Sequence, residues 1–284
     1  MKSISSRARL QLLSLAAFAF FIGMRGTAAQ TVASSWIDQE RAKSRLVAGQ
    51  HEGRLVAFFE IDMPEGWKTY WRNPGDAGGL PPSFDFAGSE NAGPVRVLYP
   101  APKRLADKAG ETIGYKGHVL FPVQVEAKDS GKPVKLHVAA HFGVCREICV
   151  PLEATHELEV PPGVVGPVDG ALLDALGHVP RPATEAKPGD PKLISSKVEP
   201  GGPARIVFEA AFPGGTDGAD IFVEAPEGLY VPMPQRSGSG DGPALRYVAA
   251  FSSEADLKAL TGQPLKVTLV SDAGESETMV TLAP

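Results

Sequence analysis

Apolar residues in this chain alternate with polar ones or gather in short unbroken runs, and helical periodicity is scarce. Strands are predicted near residues 54–61, 67–71, 95–99, 119–125, 134–142 and 156–160. Pro64-Glu65-Gly66, Asn73-Pro74-Gly75-Asp76 and the stretch from Lys128 to Pro133 supply turns between them. Short strands at this spacing predict an antiparallel sandwich. The earlier segment from Ser35 to Val47 reads as a loop or a little helix.

The texture changes at Pro161-Pro162-Gly163 and stays rich in proline through Pro191. Within that stretch, residues 171–176 are the one convincing helix, ended by Gly177 and Pro180. We read 163–192 as an interdomain linker. Beyond it, strands are predicted near 204–211, 221–224, 245–251, 265–271 and 277–282, forming a second, smaller sandwich. The run Ser237-Gly238-Ser239-Gly240-Asp241-Gly242 is expected to be a flexible hairpin tip, since it lacks the Gly-x-Ser-x-Gly spacing of a nucleophile elbow. The 31 glycines and 26 prolines suit this all-β reading.

The N-terminus has another character. Lys2, Arg7 and Arg9 precede an apolar run from Leu10 to Met24 and the small residues Thr27-Ala28-Ala29. This is the layout of a secretory signal peptide, with cleavage expected after Ala29. The apolar run is shorter than the roughly 20 residues of a membrane span. Removing residues 1–29 takes away four basic residues and no acidic one, so the formal charge moves from −5 to −9. An acidic exported protein argues against nucleic acid as a partner. The expected organisation is signal peptide 1–29, first domain 30–162, linker 163–192 and second domain 193–284.

Only two cysteines are present, Cys145 and Cys149, separated by three residues in His141-Phe142-Gly143-Val144-Cys145-Arg146-Glu147-Ile148-Cys149-Val150-Pro151. A disulfide closing so short a loop stabilises a fold weakly, because even a 15-residue loop contributes only about 3 kcal/mol. A chain of this length has no need of such a staple. Redox exchange is therefore the leading reading of the pair, with a structural disulfide as the alternative. In an extended strand the two Cα atoms would lie roughly 13 Å apart, whereas a disulfide needs about 4.4 to 6.8 Å. The segment must turn, through a tight hairpin or one helical turn, and Pro151 would stop a helix from continuing.

Three motifs occur in order: Gly66-Trp67-Lys68-Thr69-Tyr70-Trp71-Arg72-Asn73-Pro74-Gly75-Asp76, then Gly114-Tyr115-Lys116-Gly117-His118-Val119-Leu120-Phe121-Pro122-Val123, then the cysteine segment. Together they resemble the periplasmic N-terminal region of the thiol:disulfide interchange protein DsbD, especially its ScsB-like relatives linked to copper tolerance. The resemblance covers roughly residues 35–160. It implies an immunoglobulin-like domain whose cysteine pair passes electrons from a membrane protein of DsbD, ScsB or CcdA type to periplasmic thioredoxin-like or disulfide-isomerase-like proteins. The sequence holds neither a multi-span membrane domain nor a thioredoxin-like domain, so the electron donor is expected to be a separate protein. No small-molecule cofactor is expected, the redox group being the cysteine pair itself. By the same resemblance, Cys149 is the sulfur expected to meet the partner.

Tyr70, Trp71 and Asp76 sit in or beside a Pro-Gly loop suited to shielding the sulfurs, although the two aromatics suit a strand core equally. Tyr115 is expected to pack against the site or to cap a strand. Metal binding is the rival chemistry, because His141, Cys145, Cys149 and His156 combine two thiolates with two imidazoles, a set that selects copper(I) or zinc. A third reading is a non-catalytic interaction module. No Ser/His/Asp arrangement supports a hydrolase.

Overall fold

The computed structural model describes residues 31–108, 110–163, 165–199, 204–239 and 244–283. The expected signal peptide lies outside them, as do residues 240–242 of the expected hairpin tip. Among the described residues no helix is long and apolar enough to cross a membrane.

The first sandwich has two six-stranded sheets. One runs Val32–Ala33, Lys43–His51, Arg54–Asp62, His118–Ala127, Ala92–Val97, with Ile37–Asp38 beside Lys43–His51. The other runs Cys149–Val160, Val134–Cys145, Lys68–Tyr70, Gly110–Lys116, Lys103–Asp107, with Ser83–Asp85 also paired to Val134–Cys145. Two four-stranded sheets form the second sandwich: Arg181–Pro182, Gly274–Thr281, Pro264–Ser271, Asp220–Glu224, and Lys192–Glu199, Arg205–Ala211, Ala244–Ala250, Gln235–Ser239. All these pairings are antiparallel except that of Arg181–Pro182 with Ser276 and Glu277. The protein is an all-β immunoglobulin-like sandwich followed by a smaller one.

Arg54–Asp62 shows how an unbroken apolar run arises in an antiparallel sheet. Its Ala57, Phe59 and Ile61 point into the sandwich core. Val56 and Phe58 point the other way and are covered, with Leu120, by Val168 and Ala175. A strand covered on both faces has no polar side to alternate with. The cover comes from the helix Gly170–Gly177 and the chain leading into it.

Residues 163–192 are thus bound to both sandwiches. Gly166 and Val168 exchange backbone hydrogen bonds with Gln50 of the first. Arg181 is held by Asp190 and joins the second sandwich through its parallel bridge.

Two local expectations are corrected. The segment expected as loop or helix contains Ile37–Asp38 and most of Lys43–His51, turned by Glu40 at a positive φ of 60°. Ala42, Ser44 and Leu46 are buried and alternate with the partly exposed Lys43 and Arg45, which is strand spacing, before both faces become buried at Val47 and Ala48. The last strand of the first sandwich begins at Cys149, seven residues before the expected start. Pro151 stops no helix there: it lies on an edge strand opposite Gly143, whose N–H and carbonyl point away from it, to Leu80 and Thr69. A residue without an N–H costs nothing at such a position.

Candidate functional site

The cysteines close the tip of the hairpin formed by Val134–Cys145 and Cys149–Val160. Cys145 and Cys149 are the last directly opposed pair, and Arg146, Glu147 and Ile148 make the turn. Their sulfurs are bonded at 2.06 Å, with the Cα atoms 4.2 Å apart. The two sulfurs differ in access: Cys145 is buried and Cys149 exposed. Ile148, beside Cys149, is 67% exposed.

Alternation explains which face carries the pair. Along Val134–Cys145 the even-numbered residues Val134, Leu136, Val138, Ala140, Phe142 and Val144 fill the core. Cys145 therefore points to the outer face, and something must cover it. That cover is Tyr70, at the end of Lys68–Tyr70, which pairs with both the cysteine strand and Gly110–Lys116. The Tyr70 hydroxyl lies 2.7 Å from Cys145 Sγ and 3.1 Å from Cys149 Sγ. Burial raises the Tyr70 pKa, and the negative charge of Asp107 adds to the rise. The phenol stays protonated and available as a donor.

The Tyr70 ring is itself enclosed. A Cβ on Gly79 would lie 2.2 Å from the ring, and one on Gly143 would meet Leu80 at 2.9 Å and the ring at 3.4 Å. Only glycine lets the backbone approach the phenol this closely, and Gly79 also has a φ of 155°. The Gly143 N–H donates to the Leu80 carbonyl at 3.0 Å. Residues 75–80 thus form a lid over Tyr70, which covers the sulfurs.

The family model described as thiol:disulfide interchange protein DsbD, N-terminal, matches residues 33–161. The crystal structure of the N-terminal periplasmic domain of ScsB from Proteus mirabilis shares the fold, with a TM-score of 0.66 at 19% identity, covering 89% of this chain and 99% of that one. Residues 33–161 are thus similar to the N-terminal domain of DsbD, and the ScsB domain has the same fold. Bovine butyrophilin is matched over 81% of this chain and 92% of its own at 10% identity, with a TM-score of 0.21, too low to carry an argument. No curated protein matches the sequence.

Of the residues singled out in the sequence, the DsbD-like domain brings Cys145, Cys149 and Tyr70 into contact. Asp76 lies in the lid but points to the second sandwich, where its carboxylate accepts from the Tyr230 hydroxyl at 2.7 Å and the Met233 N–H at 3.0 Å. Trp71 faces away from the sulfurs because successive strand residues alternate sides. It is buried against Phe222 of the second sandwich, 5.8 Å between ring centroids, with the Arg72 guanidinium 4.3 Å from its ring centre. Tyr115 is a core residue: its ring packs on Phe121 and its hydroxyl donates to the Pro100 carbonyl at 2.8 Å.

The four-residue metal set is not assembled. Cys145, Cys149 and His141 are odd-numbered and outward, whereas His156 is even-numbered and points into the core, 2% exposed. The His156 Nε2 lies 2.9 Å from Ser44 Oγ, and burial pushes its pKa down to about 4. His141 pairs on the outer surface with Glu153 at 3.3 Å. Among the described residues no group of three or more His, Cys, Asp or Glu side chains is placed to hold a metal.

Lys68 belongs to the site though nothing in its sequence context singled it out. It is paired in register with Cys145 and buried, and its ammonium donates to Asp107 at 2.6 Å and Thr112 at 2.8 Å. A lysine inside a strand motif reads as an outward residue, and only the neighbouring strands supply the carboxylate that permits its burial. Tyr230 and Met233 were missed for the same reason: they reach the lid from more than 150 residues away in sequence.

Proposed function

We propose that this chain is a periplasmic thiol–disulfide exchange protein. Its Cys145–Cys149 pair relays electrons between a membrane-embedded reductant transporter and periplasmic thioredoxin-like or isomerase-like proteins. The observation that carries this is the asymmetry of the two sulfurs: Cys149 is open to a partner, while Cys145 is buried against the Tyr70 hydroxyl. A disulfide that served only to staple the hairpin tip would have no use for a phenol donor and a lid.

In the reducing half-cycle a donor thiolate attacks Cys149 Sγ in line with the disulfide. A mixed disulfide forms, the Cys145–Cys149 bond breaks, and its electron pair passes to Cys145 Sγ. The leaving thiolate sits where the Tyr70 hydroxyl donates, which favours its departure. A second donor thiolate then attacks the donor's own sulfur in the mixed disulfide and releases Cys149. The donor ends as a disulfide, Cys145 and Cys149 carry its two electrons, and solvent supplies the protons. Delivery to an oxidised acceptor runs the same steps in reverse, with Cys149 attacking. The pair needs no further cofactor.

The test is the reduction potential of the pair in glutathione buffers, together with trapping. Exchange-active pairs lie between roughly −270 and −180 mV, and structural disulfides typically below about −300 mV. A potential in the first range, with Cys145→Ser trapping a partner through Cys149 and Cys149→Ser trapping none, is the expected result. A pair that stays oxidised below about −300 mV overturns the reading.

A further inference from the structure

We propose that the second sandwich sets how readily the disulfide is reached, by clasping the lid through Asp76. The proposal rests on reading Cys145–Cys149 as the reacting pair.

The lid is fastened from both sandwiches. On the side of the first, the Ala77 N–H donates to the Glu111 carbonyl at 3.3 Å and the Leu80 carbonyl accepts from Gly143. On the side of the second, the Asp76 carboxylate accepts the Tyr230 hydroxyl at 2.7 Å and the Met233 N–H at 3.0 and 3.2 Å from its two oxygens. The Asp76 N–H in turn points at Met233 Sδ, 3.4 Å away. Gly75, at a φ of 85°, lies so close that a Cβ there would come within 2.7 Å of the same sulfur. Three residues after Asp76, Gly79 lies against the Tyr70 ring, and the Tyr70 hydroxyl touches Cys145. An unbroken path of contacts therefore leads from Tyr230 and Met233 to the sulfur.

Joining the two sandwiches does not require this clasp. Arg72 already binds Glu224 and Glu277 across the interface, and Arg104 binds Asp220 with two bonds of 3.0 Å. Those pairs start from Arg72 and Arg104, outside residues 75–80. The Asp76 bonds hold the lid itself, and a loop that must open for a partner is governed by the bonds it loses on opening. Asp76, Tyr230 and Met233 are positioning residues: they touch neither sulfur and act through the lid.

The test is the second-order rate at which dithiothreitol reduces the disulfide in the full protein. In that reaction the reagent closes to its cyclic disulfide and passes two electrons to the pair. Asp76→Ala removes every carboxylate bond, and the rate is expected to rise about tenfold, while Tyr230→Phe removes one of them and gives about a threefold rise. Leu257→Ala weakens the core of the second sandwich without touching the clasp, and is expected to leave the rate within about twofold. Circular dichroism confirms folding of each variant. Rates unchanged in Asp76→Ala and Tyr230→Phe overturn the proposal, as does an equal acceleration in Leu257→Ala. Neither failure touches the exchange reading, which stands or falls on the potential and the trapping.

Discussion

The Tyr70 hydroxyl and Cys145 Sγ lie 2.7 Å apart, beneath a lid and away from solvent. Because burial keeps the phenol protonated, it donates to whatever charge forms on that sulfur. Tyr70→Phe keeps the ring and removes the donor. In the reduced protein the Cys145 thiolate loses its donor and is expected to form less readily, and disulfide reduction to slow about tenfold. Alkylation rate against pH measures the first, and stopped-flow reduction the second.

His156 predicts a pH dependence of stability. Its pKa is about 4 in the fold and returns to about 6.5 on unfolding, so the unfolded chain binds the extra proton between those values. Stability from this group is full above about pH 6.5, falls as pH drops toward 4, and levels off below. The loss is at most about 3 kcal/mol. Urea midpoints at a series of pH values check this, and His156→Gln is expected to flatten that part of the profile.

Arg72 ties the sandwiches together, donating to Glu224 at 2.7 and 2.9 Å and to Glu277. The three side chains are each about four-fifths buried, so removing the cation leaves Glu224 facing Glu277 with only Lys266, 3.4 Å from Glu277, as a remaining cation. Arg72→Met is expected to cost about 2–4 kcal/mol and to separate one unfolding transition into two. Calorimetry checks both.

Gly79→Ala places a methyl carbon 2.2 Å from the Tyr70 ring, so either the ring or the lid must move. Because the lid is an exposed loop and the ring is packed, we expect the lid to lift. Protection of the Gly143 amide, which donates to the Leu80 carbonyl, and of the Ala77 amide, which donates to the Glu111 carbonyl, should fall against hydrogen exchange while the melting temperature changes by only a few degrees, since the core beneath is untouched.

Period-two spacing was enough to place most strands of both sandwiches, because each strand buries one face and its alternation is written along the chain. It failed where burial does not alternate or where special residues mask it. Lys103–Asp107 and Lys192–Glu199 are edge strands with few inward apolar residues, and the start of Cys149–Val160 is disguised by Pro151. The helix Glu254–Leu260, with Ser253 capping Ala255, is short and was hidden among strand signals.

By itself the sequence determined the chemistry on offer: a single cysteine pair whose short loop makes a weak staple, in a β-rich chain whose motifs resemble those of the DsbD N-terminal domain. Which partners those sulfurs meet was decided by the tertiary structure. Strand alternation sends Tyr70 to the disulfide and its neighbour Trp71 to the opposite side, sends His156 into the core away from the cysteines, and turns Asp76 toward residues more than 150 positions later. Such pairings depend on which strands lie side by side. That is set by the packing of whole sheets, whose pattern no local stretch of sequence contains.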